Sequence, residues 1–187
     1  QENGLYYLTN LKQPNATLVI VKNGTSVSEA VYIPKRDPRR EAWDGRMYSD
    51  ADATRISGIS TILNAANISE MISALGEKRA YALTDGVSIA ADAALFMQTS
   101  ASPMDPMAAE FTYENSLAKG AFSKREVTNV RPIIDRMRMI KSPYELKMLQ
   151  HAIDITTEAM TRSMAMAGRA KWEYQVQAEG EYTFRRR

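Results

Sequence analysis

The segment KSPYELKMLQHAIDITTEAM, residues 141–160, constrains the chain more than any other, because it has to open a long helix. Ser142 stands at an N-cap position. Pro143 fills the first helical position, where its missing N–H costs nothing, and Glu145 lies three residues after the cap and closes a capping box. Leu146, Leu149, Ile153, Thr157, Met160 and Met164 then recur at spacings of three and four, giving one apolar face. Gly168 is expected to be a left-handed C-terminal cap. The last segment, WEYQVQAEGEYTF (172–184), alternates like a strand yet carries strong helix formers, so periodicity leaves it open.

The first third follows different rules. LYYL (5–8), TLVIVK (17–22) and EAVYI (29–33) are short, β-branched or aromatic runs between turn formers, and each predicts a strand. Asn23-Gly24 signals a hairpin, with the TSVS that follows expected to lengthen its loop beyond two residues. Pro34 ends the third run, and PKRDPRREAWDGRM (34–47) reads as a charged loop around a single indole, Trp43. Downstream, Asn64 to Gly76 predicts a helix with Ile68, Met71, Ile72 and Leu75 on one face. AYALTDG (80–86) predicts a buried strand ending in an Asp-Gly turn. Residues 87–103 give no clear pattern, and 105–126 read as helix anchored by Phe111, Leu117 and Phe122. Strands and helices that alternate in this way imply α/β layers with part of the sheet parallel.

Little in the chain suggests a complete catalytic site. Its 187 residues carry 24 basic and 22 acidic side chains, a net charge of +2, which argues against a nucleic-acid partner. Arg185-Arg186-Arg187 reads as a solvated helix end. With 44% apolar and 25% charged residues the chain should form an ordinary core. No apolar run approaches the roughly 20 residues of a membrane span, so no membrane partner is expected. Cysteine is absent and His151 is the only histidine, which rules out thiolate chemistry and a two-histidine zinc site built from this chain. His151 itself reads as a helix residue at the edge of a core. No Gly-x-Ser-x-Gly elbow or phosphate loop occurs. Asp50 and Asp52 read as a helix start rather than a cation site, and the late cluster of methionines as adaptable core or interface.

Four segments in order carry a resemblance: LYYLTN with ATLVIV, YIPKRDPRREAWDGRM, RPIIDRMRMIKSPYELKMLQHAIDIT, and AGRAKWEYQVQAEGEYTFRR. Together they resemble the aminopeptidase P (Xaa-Pro aminopeptidase) family. The resemblance implies an α/β fold in which a mixed sheet flanked by helices forms a creatinase/prolidase-like N-terminal domain over residues 1–130, clipped at its start. Residues 131–187 would be the linker and first helices of a truncated pita-bread catalytic domain, with 172–184 helical. Asn10 replaces the family's usual glycine, and a left-handed Asn is expected there.

The same resemblance implies the chemistry. Family members hold two divalent metal ions, usually manganese, on two Asp, one His and two Glu located beyond a segment like EYTFRRR. None of those ligands can be placed on this sequence, so no catalytic residue and no bound metal is expected in it. The implied reaction is metal-assisted hydrolysis of peptides with proline second, releasing the N-terminal residue. Trp43, with Arg46 beside it, would reach the substrate pocket of a neighbouring subunit in a homo-oligomer, dimer or tetramer. Two other readings of Trp43 and Arg46 stay open: the ring could fold back on its own domain, and Arg46 could form a salt bridge within the loop. A cytoplasmic location is expected, with a secreted or periplasmic one open. The alternatives for the whole are a non-catalytic peptide- or protein-binding module of the same fold, and a prolidase or creatinase relative.

Overall fold

The computed structural model describes residues 3–100, 104 and 108–187, with the side chains of residues 44 and 108 excepted. The chain divides into two compact units, Gln1–Ile134 and Asp135–Arg187. In the first unit a short helix α1 (Asn3–Thr9) precedes strands β1 (Thr17–Asn23) and β2 (Ser26–Ile33). Helices α2 (Pro38–Asp44) and α3 (Asp50–Ser57) lead to β3 (Thr61–Asn64). A 3-10 turn and α4 (Ile68–Gly76) come next, then β4 (Tyr81–Thr84), β5 (Val87–Ile89) and β6 (Leu95–Met97). A second 3-10 turn, α5 (Thr112–Lys119) and β7 (Val127–Asn129) complete the unit, and α6 (Arg131–Met139) crosses its boundary.

The principal sheet has the order β1-β2-β3 and is mixed. β1 and β2 pair antiparallel from Thr17↔Tyr32 to Asn23↔Ser26, while β2 and β3 pair parallel from Ala30↔Thr61 to Ile33↔Asn64. β4 and β5 form an antiparallel pair, and β6 and β7 a parallel one. Successive strand residues point to opposite faces, and in β2 both faces are covered. Ala30 and Tyr32 enter one core with Val21, Met71, Leu75, Leu83, Ile89 and Phe122. Val31 and Ile33 enter a second core with Leu11, Ala53 and Ile59. A Val, Ile or Leu buried this way contributes about 1.5–3 kcal/mol, so β2 is the backbone of the unit. Burial also pushes the Tyr32 phenol well above its ordinary range, with Tyr81 adding to the effect.

Several sequence expectations need correction. LYYL is helix, not strand: Gly4 and Thr9 are buried, Leu5, Tyr7 and Leu8 partly so, and Tyr6 faces out. Asn10 ends this helix at φ 57°, left-handed as expected, with its N–H on the Tyr6 carbonyl at 2.7 Å. The β1–β2 loop is the two residues Gly24-Thr25, because pairing continues to Ser26; Gly24 at φ 60° makes the tight turn. β4 is not a buried strand, since only Leu83 is buried. The helix expected over 105–126 stops at Lys119. The chain then turns through Gly120 so that Phe122 can enter the first core, its N–H on the Leu117 carbonyl at 2.9 Å. Residues 105–107 of that segment, and 101–103 of the unclear one, lie outside the described residues.

The second unit contains α7 (Pro143–Ala167) and α8 (Glu173–Arg186). The capping box of α7 is present as read: the Glu145 N–H donates to Ser142 Oγ at 3.3 Å, and the Ser142 N–H donates to Glu145 Oε2 at 2.8 Å. Those bonds hold the Glu145 carboxyl below its ordinary range. Of residues 172–184, all but the extended N-cap Trp172 are helical. Gly168, however, is right-handed at φ −75°: the Arg169 and Ala170 N–H groups both bond the Met166 carbonyl, so a tight turn closes the helix without using glycine's freedom. Small residues let the two helices approach. Ala159 and Thr183 are buried, and a Cβ on Gly180 would lie 3.2 Å from Ser163 Oγ. Arg162 pairs with Glu179 at 2.6 Å, and Arg186 and Arg187 reach Glu158.

Candidate functional site

The segment around Trp43 is a built structure rather than a loop. Asp37 caps α2, its carboxylate accepting from the Arg39 N–H at 2.9 Å, and Pro38 takes the first helical position. The Gly45 N–H closes the far end on the Glu41 carbonyl at 3.2 Å, and Gly45 then leaves at φ 87°, a conformation that favours glycine. Asp-Pro followed by Glu is a helix-start signal that the density of charge hid from sequence reading. On this two-turn platform Trp43 is 91% exposed. It does not fold back as a core residue of its own domain.

Glu41 holds the segment together. Arg36 Nε and Nη2 donate to Glu41 Oε1 and Oε2 at 2.8 and 2.9 Å, a two-pronged ion pair. The Met47 N–H donates to the same Oε1 at 2.9 Å. The Arg36 bond, and next the Met47 N–H, hold the Glu41 carboxyl far below its ordinary value, at about 2. It therefore stays charged throughout the physiological range.

Arg46 reaches α3, with Nη2 donating to Asp52 Oδ2 at 3.3 Å while its side chain stays 73% exposed. Asp52 is the third residue of α3 and completes a capping box with Ser49. The Ser49 hydroxyl and N–H, then Arg55 and Arg46, hold the Asp52 carboxyl below the usual range. Asp50 and Asp52 thus serve a helix start, as the sequence suggests. The buried Gln13 side chain accepts from the Tyr48 N–H at 3.0 Å and fixes the end of the segment. Sequence reading missed Arg36, Glu41 and Gln13. The five-residue spacing of an Arg and a Glu around Asp-Pro was the available signal for the first two.

The remaining candidates do not converge. His151 is exposed on α7, and among the described residues no group of three or more His, Asp or Glu could hold a metal ion. Among them, too, no helix is long and apolar enough to cross a membrane. What this segment offers chemically is an aromatic plane, held at its base and exposed at its face.

Residues 1–83 match the family model described as "Aminopeptidase P, N-terminal domain". The chain is 27% identical over 192 residues to Xaa-Pro aminopeptidase 3 of Mus musculus, covering 96% of this chain and 35% of that protein. It therefore spans about a third of that relative's length. Among solved structures it superposes on proline aminopeptidase P II from Yersinia pestis with a TM-score of 0.70 at 23% identity, covering all of this chain and 41% of the other. A zinc-substituted aminopeptidase P of E. coli in complex with product gives a TM-score of 0.65 at 24% identity, covering 100% of this chain and 40% of that one. These superpositions show the fold: the helix-flanked mixed sheet of an aminopeptidase P N-terminal region.

Proposed function

We propose that the chain is the N-terminal portion of an Xaa-Pro aminopeptidase, a hydrolase that removes the first residue from peptides with proline second; the match of residues 1–83 to the aminopeptidase P N-terminal model and the likeness to Xaa-Pro aminopeptidase 3 support this reading. In this reading the unit Gln1–Ile134 serves assembly of a homo-oligomer, and Trp43, with Arg46 near its base, lines the substrate pocket of a neighbouring subunit. The observation that carries it is the 91% exposure of Trp43 on an anchored helix. A tryptophan held out this way contributes nothing to its own core, and its rigid plane loses little entropy on meeting a ligand.

The metal part of the reading rests on the family alone. The donor set among the described residues does not fit a two-metal centre, so two divalent ions, manganese in this proposal, would take their ligands from outside those residues. No step of the chemistry is assigned to this chain. A cytoplasmic location goes with the same reading and is checked by cell fractionation.

The test is Trp43→Ala in the full-length protein, assayed on an Xaa-Pro tripeptide after chelation and reloading with manganese. KM should rise roughly two- to tenfold, the equivalent of about 0.5–1.5 kcal/mol of aromatic contact, with Tm unchanged. An unchanged KM accompanied by a lower Tm would return Trp43 to a structural role.

A further inference from the structure

We infer that Arg36 and Glu41 form a clasp that positions Trp43 for substrate, which makes both of them positioning residues for peptide affinity. This rests on the pocket role of Trp43 proposed above.

Helix α2 is too short to hold its own shape. It has seven residues, and an isolated helix of that length is not stable in water. Its largest side chain points into solvent and contributes no packing that could hold it. The segment leaves α2 through Gly45 at φ 87°, the most pliant kind of backbone position. Something other than a core has to order it.

Glu41 supplies that order from the middle of the helix. Its carboxylate takes Arg36, before the helix, on both oxygens, and the Met47 N–H, after the helix, on one of them. One side chain thus ties the entry and exit of the segment together. The Glu41 side chain is only 15% exposed although Arg36 stays 44% exposed, and Met47 is buried, so the carboxylate end of the clasp is fastened to the domain. Cutting it would leave Trp43 in place but mobile. The ring would then have to be ordered on each binding event, a cost that weakens binding and leaves the chemical step alone.

Glu41→Gln keeps the shape and removes the charge. In the full-length protein, amide exchange over residues 36–47 should accelerate. KM for an Xaa-Pro tripeptide should rise roughly threefold or more while kcat stays within about twofold, as expected for a lost ordering contribution. Arg36→Gln, which keeps the Met47 bond, should move both readouts in the same direction by less. Unchanged exchange in both variants overturns the clasp. Faster exchange with unchanged KM, where Trp43→Ala does raise KM, overturns the positioning role. If Trp43→Ala itself leaves KM unchanged, the pocket reading fails and this inference falls with it, and that variant alone identifies the failure.

Discussion

At the scale of single residues, Gly76 shows how closely the first unit is packed. A Cβ there would lie 2.4 Å from the Ala121 carbonyl oxygen and 3.3 Å from its carbon, both backbone atoms that cannot rotate away. Two effects compete in Gly76→Ala. Alanine gains at most about 1 kcal/mol of helix propensity, and less at a helix end. Forcing the turn at Ala121 outward costs about 1–3 kcal/mol, and that turn delivers Phe122 to the core. The clash wins, so Gly76→Ala should lower Tm by roughly 2–4 °C per kcal/mol lost; an equal or higher Tm in a thermal melt would disprove the close approach. Nothing in the sequence revealed that approach, because it depends on two segments 45 positions apart. Asn10 was anticipated only through the resemblance, as the residue standing where the family has glycine; at φ 57° it takes the left-handed conformation that Asn adopts at modest cost.

At the scale of elements, the contrast between local and distant causes decides what could be read. The start of α7 rests on four adjacent residues whose bonds are all local, and the structure repeats the sequence there. Ser142→Ala should cost about 1 kcal/mol of helix stability, read as a lower urea midpoint, while Ser142→Asp should hold it. Equal midpoints for all three would mean the cap is idle. α1 misled because Tyr6-Tyr7 raises β propensity over a stretch too short to show its period, and tertiary burial at Gly4 and Thr9 overrode it. α2 misled because charged runs are normally solvated, and the partners of Glu41 were not chosen by periodicity at all. For the candidate site, then, the sequence located the tryptophan but not what holds it.

At the scale of the whole molecule, burial is unevenly shared. β2 has four consecutive residues at 0–2% exposure, lying between two cores. In the second unit, among the described residues, only Ala159 and Thr183 are buried. The apolar face read from the sequence of α7 lies open there, with Leu146, Leu149, Ile153, Met160 and Met164 between 47% and 72% exposed. The ion pairs joining α7 and α8 are half-exposed and weigh little against solvent. Local stability follows buried apolar contact, so the two units should open at different free energies. Amide exchange on the 187-residue chain tests this directly: residues 173–186 should exchange at least about tenfold faster than 30–33. Equal protection would mean that the open face of α7 is covered in solution. In that case the apolar spacing of Leu149, Ile153 and Met160 would mark a surface that the chain keeps buried rather than one it leaves in water.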